Sequence, residues 1–231
     1  MKKMQLLSVT LLSLSIILSG CNMSNTAKGG LIGGGAGAAL GAGIGKVLGN
    51  STKSTVIGAA VGAAVGTTAG VLIGKKMDKQ KAELAALEGA KVETVTDANN
   101  LQAIKVTFSE GILFQTGKSA LNAGSKKALT EFANSLKNNA NTDVTIYGHT
   151  DNTGSAAVNE KLSTARAEAV KSFLAGNGIE GNRMTTEGKS YNEPVADNST
   201  AIGRAQNRRV EVFITANETM IQEAEKAASS K

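Results

Sequence analysis

Arg166 and Asp151 are the residues whose types and spacing most clearly indicate binding chemistry. On a helix predicted for residues 155–175, a step of about 100° per residue places Arg166 within an apolar stripe. The stripe consists of Val158, Leu162, Ala169, Phe173 and Leu174. A guanidinium in apolar surroundings is costly unless a carboxylate meets it, and Asp151, in the loop before this helix, is the best candidate.

Helix geometry leaves two arrangements of this pair open. In the first, Asp151 and Arg166 form an internal salt bridge that fixes the loop. In the second, they flank a zwitterion: Arg166 binds its carboxylate through two parallel hydrogen bonds, and Asp151 binds its ammonium group. The second arrangement predicts a binding site for an amino-acid end group.

The composition argues against catalysis and against nucleic-acid binding. His149 is the only histidine, and a general base needs a nucleophile and an orienting group within reach. The chain has no GxSxG motif and no cluster with the spacing of zinc ligands. The formal charge of +6 comes from lysines and arginines interspersed with acids, without the basic stripe and aromatic platforms of a nucleic-acid groove. We predict no enzyme, no metal and no cofactor.

The N-terminus has the layout of a secretory signal. Lys2 and Lys3 precede an apolar run over residues 11–18, and small residues end directly on Cys21. This ending resembles the bacterial lipobox, which implies cleavage before Cys21 and lipidation of that residue; an ordinary signal peptide with an incidental cysteine is the alternative. Cys21 is the only cysteine, so it has no partner for an internal disulfide. By analogy with enterobacterial lipoproteins, Asn22 in place of an aspartate favours the outer membrane.

Two glycine ladders occupy residues 29–74. Glycine recurs at every fourth position, at Gly33, Gly37, Gly41, Gly45 and Gly49, and again at Gly58, Gly62, Gly66, Gly70 and Gly74. On a helix, this spacing makes a groove that another backbone can approach closely. The ladders predict a helical hairpin that inserts into a membrane or associates with further copies. The alternative is a flexible glycine spacer.

From residue 91 the pattern becomes that of a globular α/β domain. Residues 92–96 and 103–108 alternate apolar and polar side chains around Asn99 and Asn100, which predicts a hairpin. Further strands are predicted at 143–147, 184–188 and 209–214, and helices at 125–138 and 155–175. This order predicts an α/β sandwich, with a β-α-β-α-β-type sheet and helices on one face.

The chain therefore divides into six predicted segments. They are a signal peptide (1–20), a lipidated N-terminus and linker (21–28), a glycine-zipper hairpin (29–74), a linker helix (75–90), the α/β domain (91–216) and a polar tail (217–231). The tail has the pattern of a short polar helix with no evident task.

The segment at residues 148–154 reads GHTDNTG, and Asn159, Leu162-Ser163, Arg166-Ala167 and a GRAQNRRVE run at 203–211 follow it in order. This order resembles the signature of OmpA-like peptidoglycan-binding domains over roughly residues 100–215. The whole layout is similar to that of small lipoproteins of the OmpA family.

The resemblance implies a site for peptidoglycan. Asp151 and Arg166 are then the clamp for the zwitterionic end of meso-diaminopimelate in the stem peptide. The surrounding residues of the implied site are Phe114, Thr116, Thr150, Asn159, Leu162, Arg204 and Arg208. For Arg204 and Arg208, a structural role in which they pair with Glu211 or a carbonyl is the alternative.

We therefore expect a non-catalytic lipoprotein of the outer membrane whose C-terminal domain faces the periplasm. The domain binds peptidoglycan, the lipid on Cys21 holds the chain to the membrane, and the zipper forms homo-oligomers. The alternative is a membrane-associated zipper oligomer or scaffold for which wall binding is only positional.

Overall fold

The computed structural model describes residues 68–115 and 117–230. The helices are α1 (Thr68–Leu84), α2 (Glu110–Leu113), α3 (Ala123–Asn138), α4 (Ala156–Gly176), α5 (Ala201–Asn207) and α6 (Glu218–Ser229), with a 3-10 turn at Gly181–Arg183. The strands are β1 (Ala90–Thr96), β2 (Gln102–Ser109), β3 (Thr142–Gly148), β4 (Met184–Gly188) and β5 (Arg209–Ala216). The predicted signal peptide, Cys21, the first glycine ladder, most of the second, Thr116 and Lys231 lie outside the described residues.

Polar caps explain where the helices begin. The side chains of Asn122, Ser155, Thr200 and Asn217 each accept a hydrogen bond from a backbone N–H in the first turn of α3, α4, α5 and α6. These caps satisfy donors that a helix leaves unpaired at its start. Each helix and strand predicted between residues 92 and 214 begins and ends within two or three residues of an observed one, whereas α2 and α5 have no predicted counterpart.

The sheet is mixed and has the order β1-β2-β5-β3-β4. β1, β2, β5 and β3 pair antiparallel in turn, whereas β3 and β4 are parallel and α4 connects them. The predicted hairpin is confirmed, and its turn holds Asn100 at φ 58°, a left-handed conformation that asparagine tolerates better than most residues. In the register of β2 and β5, Ser109 lies opposite Arg209, which places the start of α2 beside Arg208.

One hydrophobic core lies between the sheet and the helices. Alternate residues of the central strands point into it, among them Phe108, Val144, Ile146 and Val212, and Phe132 of α3 packs edge-on against Phe108. The α/β fold with a helical layer over the sheet is confirmed.

The two ends of the described chain contribute to this core, whereas the sequence predicted a linker helix and a polar tail outside the α/β domain. α1 is described from Thr68 onward, so it includes residues of the second glycine ladder that precede the predicted linker helix at 75–90, and it buries Ile73 and Met77. The predicted polar tail is a helix, α6, with a buried apolar face that includes Met220 and Ile221. The reason is amphipathic packing: α1 and α6 lie against each other, joined at their surface by a salt bridge from Lys76 to Glu223 at 2.9 Å.

In the part of the chain that the structure describes, no helix combines the length and the apolar character needed to cross a bilayer. Gly70 and Gly74 of the second ladder lie in α1, and a methyl group added at Gly74 would meet the side chain of Gln102 at 3.3 Å. The last turns of the ladder therefore pack on the domain. The rest of the hairpin prediction falls on residues outside the described ones.

The buried face of α4 is rotated from the predicted stripe. Val158 is 59% exposed, and the buried residues are Asn159, Ser163, Arg166, Ala167, Val170 and Leu174. The reason lies in two glycines at the ends of β3 and β4. A Cβ at Gly148 would stand 2.0 Å from the carbonyl oxygen of Ser163, and a Cβ at Gly188 would stand 2.6 Å from its hydroxyl. The helix thus meets strand backbone there, so small and polar residues face inward.

Candidate functional site: a buried network of charges

Asp151 lies in a loop that its own hydrogen bonds hold in place. The loop leaves β3 at Gly148 and enters α4 through the cap at Ser155. The Thr153 N–H donates to Oδ1 of Asp151 at 2.8 Å, and the Asn159 amide donates to the Thr153 carbonyl at 2.9 Å. Asn159, which was predicted as a site residue, therefore positions the Asp151 loop from the first turn of α4.

Arg166 is 1% exposed, as the predicted buried position requires. Its Nη2 donates to Oε1 of Glu110, its Nε donates to the Lys118 carbonyl at 3.1 Å, and its guanidinium lies 5.4 Å from the centre of the Phe114 ring. The third nitrogen, Nη1, is buried and has no hydrogen-bond partner among the described residues. Such an unmet donor in a buried place is costly and calls for an explanation.

Arg208 links the remaining charges. Its Nη1 donates to Oδ2 of Asp151 at 2.6 Å, and its Nε donates to Oε2 of Glu110. The order of contacts is Asp151, Arg208, Glu110, Arg166, and we call these four residues the charge network. Its two arginines and two carboxylates balance, and the Arg208 side chain, 27% exposed, is its most accessible part.

The direct salt bridge between Asp151 and Arg166, one of the two predicted arrangements, is wrong: within the described chain Arg166 pairs with Glu110 and Asp151 with Arg208. The open clamp is not seen either, because Arg208 and Glu110 occupy the facing groups. The sequence reasoning missed Glu110. In the sequence, Glu110 is marked only as an acid directly after β2. The pairing of β2 with β5 brings it to Arg208, and the Glu110 N–H donates to the Arg208 carbonyl at 2.8 Å.

Burial and neighbouring charges act in opposite directions on the pKa values of Arg166, Asp151 and Arg208. Burial lowers the pKa of Arg166, and Glu110 opposes that effect. Burial alone raises the pKa of Asp151, but hydrogen bonds from Arg208 and Thr153 outweigh it and hold that pKa below its usual value. Burial works against the charge of Arg208 as well, yet Asp151 and Glu110 raise its pKa above the ordinary value. The carboxylate of Asp151 is therefore a permanent anion at neutral pH.

The other predicted site residues differ in how they relate to the charge network. Phe114 is buried beneath the Arg166 guanidinium, Leu162 is half-buried on α4, and Thr150 is buried with a hydroxyl that lacks a partner among the described residues. Arg204 instead donates to the carbonyls of Asn198 and Ser199 at 2.9 and 3.1 Å, the structural alternative for that residue. Thr116 lies outside the described residues.

One alternative paired Glu211 with Arg204 or Arg208. The structure instead pairs Glu211 with Arg209, which donates to it at 2.7 Å. His149 is fully buried beside this pair. Burial, helped by the positive charge of Arg209 and opposed by Glu211, lowers its pKa to about 3. The imidazole is thus neutral, and within the described residues no group of acids, histidines or cysteines could hold a metal ion.

A cavity of about 660 Å³ lies beside α2 and α3. Its lining includes Glu88, Gly89, Ile112, Lys127 and Glu131 but no member of the charge network. The charge network is therefore packed rather than open to this cavity.

Two family models match separate parts of the chain. Residues 113–208 match the model of the OmpA family, and residues 1–78 match that of the YMGG-like Gly-zipper. Three members of the charge network fall inside the first match, and Glu110 lies just before it.

Two of the curated proteins that are similar to this chain illustrate the match. Outer membrane protein Omp38 of Acinetobacter baumannii is 40% identical over 111 residues, which are 48% of this chain and 31% of that protein. Probable lipoprotein YiaD of Escherichia coli K12 is 35% identical over 144 residues, which are 62% of this chain and 64% of that protein. The chain thus spans between about a third and two thirds of the length of these relatives.

A solved structure gives the same assignment for the fold. The cell wall anchor of the T6SS from Pseudomonas aeruginosa superposes with a TM-score of 0.52 at 31% identity. The match covers 61% of this chain and 97% of that one.

Proposed function

We propose that this chain is a non-catalytic protein that binds peptidoglycan, because its residues 113–208 match the model of the OmpA family. The described domain is the wall-binding part, and the N-terminal zipper and lipid hold it to a membrane. The name of one structural relative, a cell wall anchor, supports this proposal, as does the similarity to a probable lipoprotein.

The ligand that fits the charge network is the zwitterionic end of meso-diaminopimelate. Its carboxylate binds Arg166, and its ammonium group binds Asp151. The single observation that carries this assignment is the buried Nη1 of Arg166, a charged donor without a partner among the described residues, beside a carboxylate that stays ionised. A ligand carboxylate satisfies that donor, and charge-assisted hydrogen bonds of this type are the strong ones.

Asp151→Asn tests the binding. The change keeps the size of the side chain but removes its charge, so the ammonium group of the ligand loses its partner. We expect the purified full chain to lose its pull-down with isolated peptidoglycan sacculi, a loss of about thirtyfold or more in affinity. Lys161→Ala on the exposed face of α4 is the matched control and keeps full binding.

Circular dichroism and thermal unfolding check that Asp151→Asn is folded. A folded Asp151→Asn variant that binds sacculi as the parent does would contradict the proposal. Muropeptides released from sacculi by the parent protein would show that the protein is an enzyme.

For the N-terminal part, we propose that Cys21 carries the lipid and that the protein lies in the outer membrane with its domain in the periplasm. The relatives include an outer membrane protein and a probable lipoprotein, which supports this location. Growth of cells with a labelled fatty acid tests this proposal. We expect the parent protein to carry the label, and Cys21→Ala to abolish labelling and move the protein out of the membrane fraction. A parent protein that takes up no label would contradict the lipid anchor.

A second candidate function, a membrane-associated zipper oligomer for which wall binding is positional, is favoured by the Gly-zipper match over residues 1–78. Deletion of residues 29–67 separates the two, because it removes the zipper but leaves α1, which packs on the domain. If the wall is the main target, envelope integrity survives this deletion and is lost with Asp151→Asn; the reverse result favours the scaffold.

A further inference from the structure

Glu110 is the member of the charge network that belongs to no predicted site. Its carboxylate accepts hydrogen bonds from Arg166 and Arg208 and from the Gly117 N–H at 3.3 Å. The residue is 5% exposed and lies in α2, a helix of four residues. Both of its oxygens therefore face guanidinium groups, as the oxygens of a bound carboxylate ligand would.

The burial of Arg166 limits how a ligand can reach it. The side chain is 1% exposed, and its Nη1 has no access to solvent. One face of the guanidinium lies against Phe114, and two of its nitrogens are taken by Glu110 and by the Lys118 carbonyl. Of these neighbours, Glu110 is the one that a carboxylate can replace without loss of charge balance, because it carries the same group.

We propose that Glu110 is an internal competitor that determines the specificity of the site: the carboxylate of the ligand displaces Glu110 from Arg166. The ammonium group of the same ligand takes the place of Arg208 at Asp151, and Arg208 keeps Glu110 as its partner. A zwitterion thus exchanges two internal ion pairs for two external ones, while a ligand that offers only an ammonium group leaves Arg166 with Glu110. This inference rests on the proposed function.

Glu110→Gln tests the competition in the full chain. The probes are two synthetic peptides, L-Ala-γ-D-Glu-meso-diaminopimelate and the same peptide with L-lysine, which keeps the ammonium group but lacks the second carboxylate. In titration calorimetry we expect Glu110→Gln to bind the diaminopimelate peptide about tenfold more tightly than the parent, since one charge-assisted hydrogen bond no longer has to be broken. Its affinity for the lysine peptide stays unchanged.

Glu131→Gln, an exposed glutamate on α3, is the matched control and binds both peptides as the parent does. Equal or weaker binding of the diaminopimelate peptide by a folded Glu110→Gln overturns the inference, because Glu110 then positions the arginines instead of competing. Equal gains for both peptides also overturn it. If the parent itself does not distinguish the two peptides and Asp151→Asn binds them equally well, the proposed function fails and not merely the role of Glu110.

The parent protein supplies a test that does not depend on the folding of a variant. A crystal structure of the full chain with the diaminopimelate peptide should show the Glu110 carboxylate away from Nη2 of Arg166, with a peptide carboxylate in its place. A bound peptide beside an unchanged contact between Glu110 and Arg166 overturns the inference.

Discussion

The charges buried near the end of β3 are tolerated because each of them is paired with an opposite charge in the network. Arg166 uses its flat guanidinium to contact Glu110, the Lys118 carbonyl and the ring of Phe114 in three directions. A lysine at this position has a single ammonium centre and cannot reproduce that pattern. At the scale of single residues, each member is therefore held by the next, and removing one leaves a buried charge without its partner.

His149 makes the stability of the domain depend on pH. Its pKa is about 3 in the folded protein against an ordinary value of 6.5, so between these values the unfolded chain binds a proton that the folded one does not. This contribution to stability is complete above pH 6.5 and is lost as the pH falls toward 3. In urea unfolding, we expect acidification from pH 7 to pH 4.5 to cost the parent about 2 kcal/mol more than His149→Phe.

Carboxylates titrate in both proteins, so the comparison between parent and variant isolates the imidazole. Parallel losses of stability in the two proteins would contradict a neutral, buried His149.

At the scale of elements, glycine lets α4 approach the sheet closely. Ser163 lies against Gly148 and Gly188, at the ends of the two parallel strands, with its carbonyl toward the first glycine and its hydroxyl toward the second. This contact sets the height of α4 over the sheet and brings Arg166, one turn further along the helix, to the end of β3. The Ser163 hydroxyl completes it by accepting a hydrogen bond from the Ser190 N–H at 3.1 Å.

Gly148→Ala tests this approach. Its added methyl group would lie 2.0 Å from the Ser163 carbonyl oxygen, so strand or helix must shift. We expect a loss of about 3 kcal/mol or more in the free energy of unfolding. Gly176→Ala, in the last turn of α4 with no atom near the new methyl group, is the control and leaves stability nearly unchanged. A Gly148→Ala protein as stable as the control would mean that α4 is not tightly seated.

The helices α1 and α6 pack on each other and contribute apolar side chains to the core of the domain. Ile221 is buried on α6, and Ile221→Ala should lower the free energy of unfolding by about 2–5 kcal/mol through lost apolar contact and a new cavity. Lys226→Ala, on the exposed side of the same helix, should change it by less than about 0.5 kcal/mol. Chemical denaturation measures both, and equal small effects would show that α6 is a loose tail.

At the scale of the whole molecule, the predicted zipper and the charge network lie in separate parts of the chain. The family matches divide the chain between them, and α1 joins the end of the second ladder to the domain core. We expect substitutions in one part to leave the other part intact.

The double change Gly62→Leu and Gly66→Leu tests this division. Leucine fills the groove of the predicted zipper helix, so crosslinked oligomers should fall while binding to sacculi persists. Ala64→Leu, on the opposite side of that helix, is the control and keeps the oligomers. Unchanged crosslinking in the double variant would remove the zipper as the cause of self-association.

The hairpin around Asn100, the helices α3 and α4 and the strands could be predicted because their causes are local. Alternation, helical periodicity and capping residues act within a few neighbours. The apolar stripe on α4 was misplaced because the surface that it meets is glycine backbone, which no periodicity in α4 itself reveals. The tail helix α6 was read as polar because its apolar face is narrow and its partner, α1, lies far away in the sequence.

By itself, the sequence determined the α/β class, the five strands, the helices α3 and α4 and the burial of Arg166, since these follow from spacing and residue type. Only the tertiary structure decided the partners of that arginine. Glu110 and Arg208 are 98 residues apart, and they meet because β2 pairs with β5 in one register. An ion pair depends on distances of a few ångströms between side chains, and those distances exist only once the strands are aligned.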